Sequence, residues 1–496
     1  MERVNQLSIF LSSSNINEYK IELSIFLISI VLINLCLHAQ MESKKCEGPE
    51  IMAFHRYPAI VEHILKTNFS NYPKGEAFHT CMEELLGVGI FNSDGDMWRQ
   101  HRKISSFEFA SNNLRNFSTT VFRDYTLILA SILHQASTCG KQIDMQFQMI
   151  LDSICKVGFE VEIGSLAHEL PNHRFAKACD DATSTVTYRF INPLWRLKKF
   201  FNVGSEALFV QSIQVIDEFT YSLINIRKAE LQGAKATYNN ANNIKHDILS
   251  RFIELSENPY NNLTDKSLRD VIINFVLAGR DTTGATLSWF IYMIAVNPNV
   301  AEKIYKELIT FKENQAKEII EYDPEEEPKP FAERLAQFAS LLTYDSLGKL
   351  SYLHATITET LRLYPGLPQD PKGVLKEDVL PDGTKVRAGG LGVYSSYAMG
   401  RMMYNWGLDA TSFNPDRWFN KELFQSESPF KFAAFQAGPR TCSGKDSAYL
   451  QMKMTLAILC RFLNFNLIPD HPVKYKMMTT LNMEHGLKLT VIAGQS

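Results

Sequence analysis

Apolar residues recur with a helical period over most of the chain. From about residue 57 to residue 320 they return every three to four positions, which predicts one helix after another. The segment from Leu341 to Leu363 continues this pattern. The pattern then changes: residues 379–386 (VLPDGTKV) indicate a strand, a Pro-Asp-Gly turn and a second strand. The last hundred residues mix short strands with a final helix from Lys445 to about Phe465, so the predicted fold class is mainly α with a minor β part (α+β).

One predicted helix is unusually long and apolar. It begins near Thr264 and Asp265, stays largely apolar through Phe275, and ends before Pro298. At 1.5 Å per residue such a helix is about 50 Å long. A helix that is apolar on most faces runs through the interior of a domain, so we call it the central helix and expect a large domain around it.

The middle of the central helix contains residues that buried helices usually avoid. Residues 278–284 (AGRDTTG) include two glycines, two adjacent opposite charges and two hydroxyl groups. A kink that merely accommodates packing would explain them. A functional site would explain them too, and we favour that interpretation because unfavourable local choices in a core concentrate at such sites.

A single continuously apolar segment lies near the N-terminus, at residues 23–37. Its length falls short of the ~20 residues that usually span a bilayer, although Ala39 and tilted flanks extend it. A secretory signal peptide is the alternative, but the polar lead and the lack of a clear small-x-small cleavage site speak against it. The expected organisation is a lead at 1–22, a transmembrane anchor at 23–39, a short linker or truncated N-terminal region at 40–56, and one large domain at 57–496.

Composition narrows the possible classes of protein. The 496 residues include 51 Lys and Arg against 54 Asp and Glu, a net charge of −3, and 45% are hydrophobic. That apolar fraction supports a large core and excludes a mostly disordered chain. The near-zero charge argues against nucleic acid as the main partner. The eight cysteines form no C-x-x-C pair and share no zinc-like spacing with histidines, so most are expected to be buried thiols.

One cysteine has a different setting. Residues 435–444 (FQAGPRTCSG) place Cys442 just before the final helix, where backbone N–H groups stabilise a thiolate. Gly438 and Gly444 have no Cβ and would let the backbone approach a flat object, and Arg440 is a cation available for a carboxylate. Together these residues describe a thiolate ligand beneath a flat cofactor that carries carboxylates, and haem fits that description.

This segment resembles the haem-binding loop of the cytochrome P450 family. It matches the pattern F-x-x-G-x-R-x-C-x-G at every specified position, from Phe435 to Gly444. Four other family patterns precede this segment in the order that the family has them. They are W-x-x-x-R at Trp98 and Arg102, the oxygen-activation motif at 278–283, E-x-x-R at Glu359 and Arg362, and F-x-P-x-R-W at 413–418, which contains Arg417. An isolated E-x-x-R pair means little on a helix, but the ordered conjunction over residues 57 to 490 is specific.

The resemblance implies a cytochrome P450 fold, with the long central helix over haem b and a single N-terminal membrane anchor before the domain. Cys442 would be the axial ligand of the haem iron. Asp281 and Thr282, at an opened kink of the central helix, would relay protons through water to the reacting dioxygen. Trp98, Arg102 and Arg440 resemble the residues that bind the haem propionates. Glu359, Arg362 and Arg417 resemble a structural ion network that fixes the loop of Cys442.

The resemblance also implies a substrate class and partners. The wording of residues 364–371 (YPGLPQDP) and 432–440 is similar to the plant branch of the family that hydroxylates long-chain fatty acids at or near the ω carbon. Electrons would come from NADPH through a separate reductase, because no G-x-G-x-x-G fingerprint is present. The expected location is the endoplasmic reticulum membrane, with the catalytic domain facing the cytosol, which the cations after the apolar segment also favour.

Two sets of residues are weaker candidates. Three lysines near the cysteine loop are candidates for reductase docking, although solvated surface is their usual role: Lys431, Lys445 and Lys453. Eight apolar residues are compatible with a substrate tunnel, although core packing explains most of them: Met82, Leu85, Leu86, Val88, Phe91, Phe275, Val276 and Leu367.

Two alternative functions stay open. The first is an oxygen-independent haem isomerase or dehydratase of the same fold, against which the intact Asp281–Thr282 pair speaks. The second is a haem-binding protein without monooxygenase turnover, suggested by the short connection between Leu37 and the recognisable stretch that begins at Ala59. Ser443 is a further departure, since an apolar residue is common beside the cysteine and a hydroxyl there could perturb the thiolate.

Overall fold

The computed structural model describes residues 51–53, 57–109, 111–145, 149–164, 174–192, 194–236, 247–257, 263–318, 329–476 and 478–494. The predicted lead and anchor, residues 1–39, lie outside these ranges. Within the ranges, no helix combines the length and the apolar character needed to cross a membrane.

Helices dominate the first two thirds of the chain, as the periodicity predicts. After a short strand β1 (Ile51–Ala53), the helices are α1 (Pro58–Glu62, continued by a π-helical turn at His63–Thr67), α2 (Gly75–Leu86), α3 (Gly95–Phe109), α4 (Asn112–Thr138), α5 (Met149–Phe159), α6 (Arg174–Arg189), α7 (Trp195–Phe201), α8 (Ser205–Ala236), α9 (Ile248–Ser256), α10 (Asp265–Val296) and α11 (Pro298–Glu318). A strand β2 (Gln142–Asp144) separates α4 from α5.

The last third mixes helices with short strands. The helices are α12 (Phe331–Ser340), α13 (Tyr344–Gly348), α14 (Ser351–Leu363), α15 (Ser396–Met399), α16 (Met403–Trp406) and α17 (Lys445–Phe462). The strands are β3 (Asp370–Gly373), β4 (Asp378–Val379), β5 (Lys385–Val386), β6 (Leu391–Tyr394), β7 (Phe419–Asn420), β8 (Leu423–Phe424), β9 (Leu463–Leu467), β10 (Tyr475–Lys476), β11 (Asn482–Met483) and β12 (Lys488–Ala493).

The strands form two small three-stranded sheets and three hairpin-like pairs. In one sheet β6 is central, parallel to β1 and antiparallel to β3. In the other, β12 lies between β2 and β9, antiparallel to both. The predicted hairpin at 379–386 is confirmed as β4 and β5, with Asp378 opposite Val386. Strand β1 pairs with β6, so residues 51–53, which lie in the linker expected at 40–56, form an edge strand of a sheet.

The central helix is α10, and it begins and ends where the sequence predicts. The Thr264 side chain accepts from the backbone N–H of Ser267, whose side chain accepts from the N–H of Thr264, a reciprocal cap at the N-terminus. The helix is α-helical at every residue up to Val296. Residues 278–284 are therefore helical, and the motif does not divide the helix in two.

The central helix also separates two hydrophobic cores. Its first half, including Leu268 and Val276, packs with α2, α5, α6, α8 and α9. Its second half, including Leu287 and Phe290, packs with α4, α12, α14 and α17. Residues 278–284 lie between these halves, so the motif occupies the place where the two cores meet.

Candidate active site

The loop that carries Cys442 is held by its own backbone before α17 begins. The Cys442 N–H donates to the Phe435 carbonyl at 2.9 Å, and Thr441 donates to the Gly438 carbonyl through its N–H at 3.1 Å and its hydroxyl at 2.7 Å. The Phe435 ring packs on Tyr449 of α17 with ring centroids 5.3 Å apart. The cysteine is therefore presented by a closed turn anchored on the helix that follows.

Gly438 is required by a neighbouring segment of the chain. Its φ is +65°, and a Cβ there would lie 1.9 Å from the carbonyl oxygen of Leu65. A side chain is therefore excluded because the π-helical turn at residues 63–67 packs directly on the loop. At Gly444 a Cβ would meet Phe109 at 3.7 Å and the Cys442 sulfur at 3.9 Å, which are ordinary contacts. The approach of both glycines to a flat cofactor stays a prediction.

Helix α3 brings Trp98 and Arg102 to this loop, as predicted. The Arg440 guanidinium lies 4.5 Å from the centroid of the Trp98 ring, and Nη1 of Arg102 donates to Oγ of Ser443 at 2.5 Å. Arg440 also pairs with Asp94 at 2.5 Å. Two residues of α3 that are distant in sequence from the loop thus bring aromatic surface and positive charge beside it.

Asp94 is the acidic residue that orders this side of the site. Burial alone would raise the pKa of its carboxyl, but the N–H groups of Lys74 and Gly75, together with Arg440 and His79, outweigh burial and lower it. The carboxylate is therefore charged at neutral pH and holds Arg440 in position.

The Cys442 sulfur is desolvated although its side chain keeps accessible surface. Burial raises the pKa of this thiol; the N–H of Gly444 and the charges of Arg102 and Lys445 oppose the rise without cancelling it. The helix terminus alone is thus weaker than the sequence argument supposes. Thiolate ligands are deprotonated by the metal that they bind, so these surroundings suit a metal ligand better than a free nucleophile.

The acidic and hydroxyl residues of the central helix lie at its midpoint. Oγ1 of Thr282 donates to the carbonyl of Ala278 at 2.6 Å, and a Cβ on Gly366 would lie 3.0 Å from Cβ of Thr282. Asp281 is buried beside Arg280, with Nη1 to Oδ1 at 2.9 Å. Burial raises the pKa of the Asp281 carboxyl to about 6, against the lowering effect of Arg280. Such a carboxyl can take up and release protons near neutral pH.

Aromatic contacts connect the central helix to the cysteine loop. The Phe109 ring, which neighbours Gly444, lies 6.0 Å from the Phe275 ring of α10. Thr282 is seven residues after Phe275 and therefore shares its helix face. The side of α10 that carries Thr282 is thus the side turned toward the loop of Cys442.

The ion network predicted at Glu359 is fully formed. Its carboxylate accepts from Arg362 at 2.7 and 2.8 Å, from Nε of Arg417 at 2.9 Å and from the Trp418 indole at 3.0 Å. Arg362 also donates to the carbonyls of Ala410 at 2.5 Å and of Gly400. The network ties α14 to the segment from residue 400 to 418, and the contact between the Trp418 and Phe432 rings extends it to the start of the cysteine loop.

Sequence reasoning missed a second charged cluster beside the loop. Asp370 of β3 pairs with Lys74 at 2.5 Å and with Lys372 at 2.8 Å, and accepts from Gln436 of the cysteine loop at 2.9 Å. Burial lowers the pKa of Lys372 to about 7, against the opposing effect of Asp370, and Arg440 adds repulsion. The signal available in the sequence was Asp370 and Lys372 two positions apart on one face of a buried strand.

The structure gives different environments to the members of the two weaker candidate sets, the docking lysines and the tunnel residues. Lys453 is buried and donates to the Leu347 carbonyl at 2.9 Å, so its assignment to a docking surface is wrong. Lys431 is paired with Glu427, and Lys445 is exposed. Among the proposed tunnel residues, Met82, Leu85, Leu86 and Val276 belong to a packed core, Val88 and Phe91 are exposed, and Phe275 and Leu367 are half-buried.

The residues around Cys442 fit a flat, carboxylate-bearing metal cofactor. Arg102 has a hydroxyl partner, and two buried lysines share the single carboxylate of Asp370. This excess positive charge matches acidic groups on a ligand. In the described part of the chain no three His, Cys, Asp or Glu residues are grouped to hold a metal. These features define a thiolate site for a porphyrin metal.

Comparison with known proteins agrees with this class. The family model for cytochrome P450 matches residues 47–491. Cytochrome P450 704B1 of Arabidopsis thaliana is 62% identical over 88% of this chain and 85% of its own length. Cytochrome P450 704C1 of Pinus taeda is 47% identical over 88% and 83%, and Cytochrome P450 86B1 of Arabidopsis thaliana is 37% identical over 88% and 76%. The chain belongs to the cytochrome P450 family of monooxygenases, whose cofactor is haem iron.

Proposed function

We propose that this cytochrome P450 inserts one atom of dioxygen into a long-chain fatty acid at or near the ω carbon. Electrons come from NADPH through a separate reductase, and the protein works at the endoplasmic reticulum membrane. The convergence of Trp98, Arg102 and Arg440 on the loop of Cys442, opposite the Asp281–Thr282 pair, supports the monooxygenase chemistry.

Haem bound through the Cys442 sulfur supplies the activation of dioxygen. The protein's own residues supply orientation and protons. Arg102 and Arg440 would bind acidic groups of the cofactor. The Asp281 carboxyl, with a pKa of about 6, can take up and release a proton near neutral pH, and Thr282 carries the hydroxyl next to it in the helix. Proton delivery to the reacting oxygen is therefore a task of Asp281 and Thr282.

The substrate class rests on resemblance to the plant fatty-acid hydroxylase branch in the segments 364–371 and 432–440. The apolar side chains that are half-buried near the central helix, Phe275 and Leu367, are compatible with a greasy substrate. The apolar character of an alkyl chain suits a site that buries most of its ligand.

Membrane association is supported by a surface feature that does not involve the N-terminal segment. The stretch from Leu194 to Val203, which we call the α7 patch, exposes Leu194, Leu197, Phe200, Phe201 and Val203. It also carries three cations, Arg196, Lys198 and Lys199, and no acidic residue. Exposed apolar side chains interleaved with cations are typical of surfaces that contact anionic lipid.

The test uses the full chain in microsomes with an NADPH-dependent reductase. We expect the reduced carbon monoxide complex to have the Soret shift of a thiolate ligand, and Cys442→Ser to lose it. Incubation with fatty acids of several chain lengths should give hydroxylated products whose position is read by mass spectrometry. Well-folded, haem-loaded protein that lacks the Soret shift, or that oxidises no fatty acid, would overturn the proposal.

One variant separates oxygen insertion from the oxygen-independent alternative. Thr282→Ala should consume NADPH while forming less product and more hydrogen peroxide, because the hydroxyl no longer supports proton delivery. A rearranged product that forms without NADPH, at an unchanged rate in this variant, would favour an isomerase or dehydratase.

A further inference from the structure

A single guanidinium links the proton donor to a neighbouring helix. Nη1 of Arg280 lies 2.9 Å from Oδ1 of Asp281 and 2.8 Å from Oδ1 of Asp180 on α6. The Asp281 side chain is 5% exposed, that of Arg280 17% and that of Asp180 38%. The arrangement therefore places one cation between a buried carboxylate of the site and a half-exposed carboxylate outside it.

Because Arg280 contacts both Asp281 and Asp180, its lowering effect on the pKa of the Asp281 carboxyl depends on Asp180. Burial raises the pKa of the Asp281 carboxyl, Arg280 lowers it, and the negative charge of Asp180 raises it again. Lys476 of β10 contributes a weaker lowering effect, and the buried Cys179 thiol of α6 also neighbours the pair. Because one nitrogen serves both carboxylates, any loss of Asp180 leaves Arg280 to Asp281 alone.

The position of α6 decides whether Arg280 contacts both Asp180 and Asp281. Helix α6 packs mainly against α8 and α2, so the Asp180–Arg280 pair is a direct polar connection between α6 and the middle of the central helix. An α6 that moves away from α10 takes Asp180 with it. Arg280 then pairs with Asp281 only and holds that carboxylate in its charged form.

We propose that Asp180 is a positioning residue that, through Arg280, couples proton release by Asp281 to the seating of helix α6 on the central helix. This inference rests on the proposed function, because it concerns the proton delivery that oxygen insertion needs. In that function Asp281 releases a proton toward the reacting oxygen and takes up another from solvent, so the carboxyl is restored after each transfer. With α6 displaced, the carboxylate stays paired with Arg280 and proton transfer slows.

The charge sharing is tested without substrate or reductase. The protonated carboxyl of Asp281 is followed by infrared spectroscopy during a pH titration of the ferric, haem-loaded full chain, and its band is identified by its loss in Asp281→Asn. Asp180→Asn should lower the titration midpoint by about one pH unit. Asp180→Glu should restore it. A midpoint in Asp180→Asn that coincides with that of the unaltered protein would overturn the proposal.

A neighbouring residue supplies the matched control. Asp181 lies next to Asp180 on α6 but pairs with Lys177 at 2.7 Å, so Asp181→Asn removes one charge from the same turn. We expect its midpoint to stay at the unaltered value, and an equal shift in this variant would make the effect a general one of helix charge and contradict the proposal. Asp180→Ser removes the same charge with a smaller side chain and serves if Asp180→Asn fails to fold, as judged from the carbon monoxide spectrum.

Turnover provides the second readout. In Asp180→Asn the fraction of consumed NADPH recovered as hydroxylated product at pH 7 should fall several-fold, up to about tenfold if the protonated fraction of Asp281 is limiting. A shifted infrared midpoint with unchanged coupling would contradict the positioning role. If the unaltered protein oxidises no fatty acid, the proposed function fails, whereas the infrared titration still decides whether Asp180 controls Asp281.

Discussion

At the scale of single residues, Ser443 departs from the apolar residue that is common in the family beside the cysteine, and its hydroxyl makes a specific contact. Its hydroxyl accepts from Arg102, a predicted propionate partner, at 2.5 Å. The hydroxyl holds the guanidinium beside the cysteine loop, so it is expected to help the cofactor bind rather than to perturb the sulfur.

Ser443→Ala should release haem faster. A lost hydrogen bond to a charged group costs about 1.5 kcal/mol or more, which corresponds to a roughly tenfold faster transfer of haem to an excess of apomyoglobin. Ser428→Ala, in the turn before the loop, is the matched control and should transfer haem at the unaltered rate. Equal transfer rates for the two variants would argue that Arg102 is positioned without Ser443.

The buried His354 is expected to make the free energy of unfolding depend on pH in the acid range. Burial and the nearby charges of Lys453 and Lys445 lower the pKa of this histidine to about 3. Between about pH 3 and pH 6.5 the unfolded chain binds a proton that the folded chain does not, so the free energy of unfolding falls as the pH falls. The slope is up to about 1.4 kcal/mol per pH unit.

Urea unfolding at pH 6.5 and pH 5.5 measures this effect. His354→Asn should lose about 1 kcal/mol of the difference between the two pH values, while the same change at the exposed His485 should leave the difference intact. An identical pH dependence in His354→Asn and the unaltered protein would show that the histidine is not kept neutral by the fold.

The sequence predicts charged site residues well when a motif marks them, and poorly otherwise. Cys442, Trp98, Arg102 and Arg440 come together as their pattern implies. Lys372 was missed because a lysine in a short strand usually points to solvent, and only the fold shows that Asp370 pairs with it. The contact that excludes a side chain at Gly438 was missed because the carbonyl at its Cβ position belongs to Leu65, a distant partner that no local pattern reveals.

At the scale of elements, periodicity alone predicts the helices that hold the site. The central helix starts at its Thr264 cap and ends before Pro298 as expected, since both signals are local. The final helix ends at Phe462, where the chain continues directly as β9 and pairs with β12. Strand pairing thus ends the final helix at Phe462, whereas the apolar spacing predicts an end at about Phe465.

The α7 patch gives a prediction that belongs to one short helix. Replacing Leu197, Phe200 and Phe201 with serine removes apolar surface that contributes about 2 kcal/mol per side chain when it leaves water. In the full chain, quenching of the Trp195 fluorescence by brominated lipids in anionic vesicles should fall strongly, with the Trp195 signal obtained by difference against Trp195→Phe.

The control for this experiment is a set of exposed apolar residues elsewhere. Leu408→Ser and Leu423→Ser change side chains that are 88% and 72% exposed, away from α7. They should leave quenching of Trp195 unchanged. Full quenching in the α7 triple variant would mean that the patch does not enter the lipid.

At the scale of the whole molecule, Glu359 connects distant segments. Its carboxylate joins α14 to Arg417 and Trp418, and it neutralises two arginines that are almost completely buried. A buried cation that loses its partner costs about 3–5 kcal/mol, because the remaining charge is desolvated without compensation.

Glu359→Gln should therefore lower the yield of folded, haem-loaded protein, read as the amplitude of the reduced carbon monoxide spectrum, and lower its unfolding temperature. Glu313→Gln, exposed on α11, makes the same chemical change without burial and should behave like the unaltered protein. Equal thermal stability of the two variants would contradict a structural role for the network.

The sheet that closes the C-terminal end has a consequence for biosynthesis. Strand β2 pairs with β12, which begins only at Lys488, and the N–H of Met145 donates to the carbonyl of Leu487. A chain that emerges from the ribosome N-terminus first exposes the β2 edge until β12 has been made. Trp98 and Arg102 are likewise made long before the cysteine loop that they contact. Capture of a cofactor by this loop is therefore expected only after Cys442 has been made, and a nascent chain stalled before residue 480 is expected to depend on chaperones.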